Sequence, residues 1–146
     1  MNLTKPFISI LALLMVINVG MACKKPSEGK KEETTEPTEV TVNYAEISLD
    51  TLTFEREIKK PNVVIIDLGY PNDYEQGHID GAINMNFFEP GFQEKLLLLE
   101  KDKSYYLYGK NEGLMKRTAA HMKQNGFEEV YYLEGGWEAW QAYQLK

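Results

Sequence analysis

Two residues of this chain combine a type and a position that could serve catalysis. Asp67 ends a continuous apolar run, and His78 lies in the motif GHIDGAIN. A carboxylate and an imidazole could serve as general base and general acid in a hydrolase. The sequence around them offers no recognisable nucleophile, however, and an acid at a strand end more often accepts hydrogen bonds from loop amides. We predict that role for Asp67 and keep the hydrolase as an alternative.

Composition restricts the other kinds of chemistry. The chain has one cysteine, Cys23, so an intrachain disulfide is impossible, and its two histidines, His78 and His121, lie far apart in sequence. Metal ligands at the usual spacing are therefore missing, and we predict no metal and no cofactor. The formal net charge of −6 argues against nucleic acid as a partner. His121 has charged neighbours and is expected to be solvent-exposed.

Strands and helices alternate along the part of the chain that would position these residues. Three apolar runs predict buried strands, namely PNVVIID (61–67), SYYLY (104–108) and VYYL (130–133). Residues 114–125 carry an apolar stripe at helical spacing, and Gly126 is the expected residue after that helix. The leucines of GFQEKLLLLE (91–100) are expected to face the core from another helix. This alternation predicts an α/β fold with a mostly parallel sheet and helices on both faces.

A short loop joins the predicted strand SYYLY to the helix that follows it. Its residues are Gly109, Lys110, Asn111, Glu112, Gly113, Leu114 and Met115. A loop after the carboxyl end of a parallel strand is where α/β proteins usually bind ligands or catalyse reactions. This one contains no cysteine, serine, histidine or aspartate. The loop therefore has the position of an active site but lacks a nucleophile or base.

The order of these motifs resembles the rhodanese-like domain family. The resemblance covers roughly residues 47–140 and is carried by VVIIDLGYPNDYEQGHIDGAINM, YYLYGKNEG and NGFEEVYYLEGGWEAW. It implies a three-layer α/β fold with about five mostly parallel strands. Active members transfer a sulfane sulfur, from donors such as thiosulfate, through a cysteine persulfide. The resemblance also implies that His78 is structural, and packing of the last helix explains Trp137 and Trp140 better than ligand binding does.

The residues that the family uses for catalysis are replaced in this chain. Active members read Cys-x-x-Gly-x-Arg in the loop, and these positions correspond to Gly109, Glu112 and Leu114, followed by Met115. The family's arginine after the strand-end aspartate corresponds to Gly69. A persulfide needs a thiolate and an anion-stabilising loop, so the resemblance implies a catalytically inactive domain that serves as a binding or regulatory module. A sulfurtransferase acting with a partner's cysteine stays an alternative.

Positive charge near the loop suggests that this loop could bind an anion. Lys110, Lys116 and Arg117 could bind an acidic group of a ligand or a protein partner. Alternatively, Glu112 could pair with Lys116, since these residues are four positions apart on a helix. The sequence leaves open whether the loop retains any anion binding.

The N-terminal residues predict export and a lipid anchor. Residues 1–22 have Lys5 near the start, then an apolar run from 7 to 19, which is typical of a signal peptide. Ala22 before Cys23 resembles a bacterial lipobox, although Gly20 stands where that motif favours leucine. We expect cleavage before Cys23 and lipidation of its thiol. An ordinary secretory signal or an uncleaved anchor are the alternatives.

The segment after Cys23 is strongly polar. Residues 24–39 contain neither aromatic nor aliphatic side chains, so this stretch cannot bury enough apolar surface to fold. We predict a lipid-anchored disordered tether over 23–43 and a rhodanese-like domain over 44–146. The expected location is the bacterial cell envelope, with the domain outside the cytoplasm and anchored to a membrane of unspecified identity.

Overall fold

The computed structural model describes residues 41–146, so the predictions for residues 1–40, including Cys23 and most of the predicted tether, lie outside the described residues. The elements in chain order are α1 (Tyr44–Ile47), β1 (Ser48–Leu49), α2 (Thr51–Glu57), β2 (Val63–Asp67), α3 (Pro71–Gln76), β3 (Ile83–Asn84), α4 (Phe92–Leu97), β4 (Ser104–Tyr108), α5 (Glu112–Gln124), β5 (Val130–Leu133) and α6 (Gly136–Gln144). The bounds of β4 and β5 are those of the apolar runs SYYLY and VYYL.

The strands form one parallel sheet of five strands in the order β1-β5-β4-β2-β3. This confirms the predicted α/β fold class. Asp67 at the end of β2 is in register with Tyr108 at the end of β4. Because all strands run in one direction, the segments after Asp67 and Tyr108 emerge side by side at the same edge of the sheet. This edge of the sheet therefore brings Asp67 close to the loop that follows Tyr108.

The central strand β4 is the most deeply buried part of the sheet. The side chains of Tyr105, Tyr106, Leu107 and Tyr108 are all almost inaccessible to solvent. Burial of a large apolar side chain stabilises a fold by about 1.5–3 kcal/mol. Tyr106 also packs edge to face against Phe54 of α2, with ring centroids 5.6 Å apart. The strand that precedes the Gly109 loop is thus held firmly on both of its faces.

The longest helix, α5, begins two residues earlier than the sequence predicted. Asn111 is its N-cap, and its Oδ1 accepts a hydrogen bond from the Leu114 N–H at 3.2 Å. Such a side-chain cap satisfies one of the amides that a helix start leaves without a partner. Gly126 follows the helix with φ of 86°, and its N–H donates to the Lys123 carbonyl. The predicted role of Gly126 at the helix end is confirmed.

The leucines after α4 depart from their prediction. Leu96 is fully buried, but α4 ends at Leu97 and Leu98 is 85% exposed. Successive residues of a helix are about 100° apart, so Leu98 lies on the side opposite Leu96. The expectation that all four leucines face the core is wrong for Leu98.

Residues 41–146 contain what independent folding requires. Every strand pairing and the shared hydrophobic core fall between Ile47 and Trp140. These residues belong to one compact unit. No helix within this described part is long and apolar enough to cross a membrane.

Candidate binding site at the carboxyl edge of the sheet

Gly109 is the first residue after β4 and is buried. A Cβ atom built on it would lie 3.5 Å from the Leu68 Cβ, which is an ordinary van der Waals contact. Its backbone angles do not demand glycine either, since Gly109 is not among the residues with positive φ. Space and backbone conformation would therefore accept a Cβ atom at this position, where active relatives are expected to carry a cysteine.

Asp67 shapes the neighbouring turn through its carboxylate. The side chain is almost completely buried, and its Oδ1 accepts a hydrogen bond from the Gly69 N–H at 2.7 Å. The side-chain amide of Asn84 donates a hydrogen bond to the Gly69 carbonyl oxygen at 2.9 Å, which also holds this turn. The predicted role of Asp67 as an acceptor for loop amides is confirmed.

Tyr108 links this edge of the sheet to the GHIDGAIN segment. Its hydroxyl oxygen accepts a hydrogen bond from the Ile79 N–H at 3.1 Å. Burial raises the pKa of Tyr108 far above its ordinary value, and the nearby Asp67 carboxylate acts in the same direction. The phenol thus stays neutral and serves to position the turn after His78.

His78 is tied to its own turn. Its ring stacks on the Tyr74 ring, with centroids 3.9 Å apart, and its Nδ1 lies 2.9 Å from the Tyr74 carbonyl oxygen. It lines a groove of about 640 Å³ between α2 and α6, whereas Asp67 lines a separate narrow cleft beside Gly109. These contacts agree with a structural role for His78. They do not bring it together with Asp67 as an acid–base pair.

The two tryptophans of α6 pack against the body of the domain. The Trp140 ring makes an edge contact with Phe54 at 6.2 Å, and the Trp137 ring lies 5.8 Å from that of Tyr108. These contacts agree with the expectation that packing explains both residues, which also line the groove beside His78. The Trp137 ring thereby covers the end of β4 on the side of α6.

A small, mainly apolar pocket opens beside the Gly109 loop. Its volume is about 230 Å³, and its lining consists of Leu68, Gly69, Tyr70, Asp73, Phe88, Gly109, Lys110, Asn111 and Leu114. We call it the loop pocket. The rings of Tyr70 and Phe88 stack with centroids 5.1 Å apart, yet these side chains are 52% and 55% exposed. Sequence reasoning missed both aromatics, because nothing local distinguishes them from core residues.

The predicted anion-binding residues do not converge on the loop. The Lys110 ammonium pairs with Asp73 at 2.8 Å, and the Lys116 ammonium pairs with Glu112 at 2.8 Å. The hydrogen bond that the Lys116 ammonium donates to the Glu112 carboxylate raises the pKa of Lys116. The predicted helix pair Glu112–Lys116 is therefore present, and both lysines at the loop already face a carboxylate.

The other residues of the predicted loop differ in exposure. Asn111, Glu112 and Gly113 are exposed, Leu114 is half-buried and lines the loop pocket, and Met115 is fully buried in the core. The N–H of Leu114 bonds to Asn111, so an anion would compete with that side chain for this amide. The geometry therefore favours an apolar occupant over an anionic one.

Arg117 and His121 lie elsewhere on α5. The Arg117 guanidinium lies 5.3 Å from the centroid of the Phe87 ring. His121 is half-buried, and its Nε2 is inaccessible to solvent. The expectation that His121 is exposed is wrong, because Phe92 and Leu96 of α4 line the same cavity next to this face of α5. Across residues 41–146, no group of three or more potential ligands could hold a metal ion.

Known proteins resemble this chain in sequence and in fold. A profile of the rhodanese-like domain matches residues 51–143. This chain belongs to the rhodanese-like family. It is 36% identical over 76 residues to the uncharacterized protein YqhL of Bacillus subtilis, covering 52% of this chain and 59% of that protein. It is 33% identical over 86 residues to the thiosulfate sulfurtransferase GlpE of Coxiella burnetii, covering 59% and 78%.

Solved structures agree with this assignment. The Alr3790 protein of Anabaena sp. superposes with a TM-score of 0.58 at 28% identity, over 65% of this chain and 76% of that chain. A rhodanese-related protein of Thermoplasma volcanium superposes with the same TM-score at 23% identity, over 66% and 91%. This second likeness concerns the fold alone. The predicted rhodanese-like architecture is therefore confirmed.

Proposed function

We propose that this protein is a non-catalytic rhodanese-like binding module. A lipid on Cys23 would hold it at a bacterial envelope membrane, with residues 24–43 as a tether and the domain outside the cytoplasm. The loop pocket would receive an apolar side chain of a partner protein. The observation that carries the proposal is the loop pocket itself, whose lining contains Gly109 and no cysteine, serine or threonine.

The chemistry of sulfur transfer supports the absence of catalysis. The reaction needs a thiolate that attacks the donor and then carries the persulfide. Residues 24–146 contain no cysteine. The carboxylate of Glu112 lies in the first turn of α5, where active relatives are expected to stabilise an anion. Thiol and anion stabilisation are thus both lacking.

The lining of the loop pocket supports an apolar group of a protein as occupant. Leu68, Leu114 and the stacked rings of Tyr70 and Phe88 supply apolar walls. Aromatic side chains are enriched at the energetically important positions of protein interfaces. The exposed polar groups at the rim, Asn111 and the Lys110–Asp73 pair, could add directional contacts with the backbone of a partner.

A thiosulfate:cyanide sulfurtransferase assay tests the catalytic half of the proposal. The assay would use the chain from residue 24, which retains all of 41–146, with the Coxiella burnetii thiosulfate sulfurtransferase as positive control. We expect no turnover above the no-protein rate. Turnover that rises with the concentration of this protein would refute the non-catalytic assignment.

Site-specific photo-crosslinking tests the binding half. A photoreactive phenylalanine analogue would replace Phe88, and a matched variant would carry it at Leu52 of α2, which is 63% exposed. In bacterial cells that produce the full chain, we expect a discrete crosslinked product for position 88 only. Leu114→Arg places a charge in the loop pocket and should abolish that product. Equal crosslinking at position 52, or persistence in Leu114→Arg, would contradict a partner in the loop pocket.

A further inference from the structure

The groove between α2 and α6 is large enough for a small molecule. Its volume is about 640 Å³, and cavities of roughly 300–1,000 Å³ are typical of small-molecule sites. We call it the α2–α6 groove. It shares no lining residue with the loop pocket. Its occupancy can therefore be tested separately from the proposed partner binding.

Apolar side chains form a continuous part of the lining of the α2–α6 groove. They are Ile58, Ile65, Ile79, Trp137, Trp140 and Leu145. The two tryptophans are the only ones in the chain. Since the transfer of apolar surface out of water is favourable, a ligand with an apolar body gains free energy by lying against these side chains.

The charged groups of the lining leave one negative charge without a partner. On α2, the Lys59 ammonium bonds to Glu55 Oε1 at 2.7 Å, and the Tyr143 hydroxyl donates to Glu55 Oε2 at 2.7 Å. Asp80 is exposed and lines the groove, and none of the ion pairs formed within residues 41–146 includes it. Because Glu55 and Lys59 offset each other, the Asp80 carboxylate favours a cationic ligand.

His78 adds a hydrogen-bond acceptor two residues before Asp80. It is exposed and lines the groove, and its Nδ1 lies 2.9 Å from the Tyr74 carbonyl oxygen. A carbonyl oxygen only accepts, so Nδ1 carries a hydrogen, and Nε2 of the neutral ring is then an acceptor. The turn that contains both residues thus suits a group with several N–H donors.

Trp137 brings an aromatic ring to the same turn. A Cβ built on Gly77 would lie 3.3 Å from Cζ2 of this ring. The Trp137 ring also lies 5.8 Å from that of Tyr108, whose hydroxyl accepts a hydrogen bond from the Ile79 N–H. Cations are attracted to the face of an indole ring. A cationic group that bonds to the turn can therefore also contact Trp137.

We propose that the α2–α6 groove binds a small organic cation, namely a primary ammonium on an aromatic body. The ammonium would donate hydrogen bonds to the Asp80 carboxylate and to His78 Nε2. The aromatic body would pack along Trp137 toward Trp140. Charge-assisted hydrogen bonds of this kind are the strong ones in proteins, and the ammonium supplies three donors.

Titration with phenethylamine, followed by amide chemical shifts of the chain from residue 24, tests this proposal. We expect saturable shifts concentrated around residues 55–59, 77–80 and 137–145. Phenethyl alcohol has the same ring and linker without the charge, and it should bind at least about fivefold more weakly. Hydrocinnamate, which carries a carboxylate instead, should bind more weakly still. Shifts that centre on the loop pocket, no saturation, or equal binding of the alcohol would overturn the proposal.

Two matched variants refine the test. Asp80→Asn keeps the shape of the side chain but removes its charge, and it should raise the dissociation constant for phenethylamine by at least about fivefold. Asp102→Asn changes the net charge of the chain equally, but Asp102 is an exposed residue that does not line the groove. This control should bind phenethylamine as the parent chain does. Unchanged affinity in Asp80→Asn, or equal weakening in the two variants, would refute the assignment.

Discussion

The backbone carbonyl of Gly109 accepts a hydrogen bond from the backbone N–H of Trp137 at 2.9 Å. This bond ties the loop after β4 to the first turn of α6. Gly136 makes the close approach possible, because a Cβ at that position would overlap the Gly109 carbonyl oxygen. Its φ of 58° also lies in the left-handed region that favours glycine. The second glycine of EGGW therefore holds α6 against the candidate site.

Gly136→Ala should destabilise the domain strongly. The added methyl meets backbone atoms that no side-chain rotation can move aside, and alanine also pays for the left-handed conformation. We expect the free energy of unfolding to fall by about 3 kcal/mol or more, measured by urea denaturation of the chain from residue 24.

Gly81→Ala is the matched control for that variant. Gly81 has φ of 81°, but a Cβ there would meet no atom within 4 Å. The left-handed conformation alone costs about 1–2 kcal/mol, so this variant should lose only that amount. Equal losses in the two variants would show that crowding against Gly109 contributes nothing.

The strands with a strong local pattern could be predicted from the sequence. SYYLY and VYYL are short apolar runs rich in aromatic and β-branched residues, and they coincide with β4 and β5. The helix α2 was not predicted, since Phe54 is its only buried residue and no apolar stripe marks it. The edge strand β1 is two residues long and is defined by its pairing with β5. Such pairing depends on the fold and is not visible locally.

The contacts of the candidate site also differ in whether the sequence could predict them. The bond from Gly69 to Asp67 and the Glu112–Lys116 pair join residues close in sequence, so their types and spacing were sufficient to predict them. The stacking of Tyr70 on Phe88 joins two separate loops across the sheet edge. Long-range contacts of this kind follow from the strand order. For that reason the sequence indicated the position of the loop pocket but not its apolar character.

Gly109→Cys should fold normally and yet stay almost inactive. The new Cβ makes only an ordinary contact with Leu68. Its persulfide, however, would find the Leu114 N–H bonded to Asn111, a carboxylate at Glu112 and no arginine at position 114. We expect thiosulfate:cyanide turnover close to the no-protein rate.

The triple variant Gly109→Cys, Glu112→Gly, Leu114→Arg is the comparison for that prediction. It restores the pattern Cys-x-x-Gly-x-Arg and removes the competing charge. One preorganised anion-stabilising donor is often worth a factor of about 100 in rate, so the triple variant should exceed the single one by at least about tenfold. Equal rates would show that positions 112 and 114 matter less than their chemistry suggests.

Cys23→Ser should abolish lipid attachment. A thioether to the lipid requires the cysteine sulfur, and serine keeps the size of the side chain but removes that atom. The measurement is metabolic labelling of bacteria producing the full chain with a fatty acid that carries a detectable tag. We expect label on the parent chain and none on the variant. Labelling that persists in Cys23→Ser would rule out the predicted anchor.

The buried tyrosines should make the domain lose stability in alkali. Burial, followed by the Glu57 carboxylate, raises the pKa of Tyr106 from 10.0 to about 12. Burial also raises the pKa of Tyr105 and Tyr131. A raised pKa in the folded state means that the neutral phenol is favoured by folding. The resulting stability is fully present below pH 10 and is lost as the pH rises toward about 12.

Spectrophotometric titration of tyrosinate measures this directly. In the folded chain from residue 24, we expect a fraction of the tyrosines to ionise only above pH 10, together with the loss of the folded state. In concentrated urea all tyrosines should titrate near the ordinary value of about 10. Tyr106→Phe should reduce the alkaline loss of stability, because the phenylalanine ring fills nearly the same space and cannot ionise. A folded-state curve that coincides with the curve in urea would contradict the burial argument.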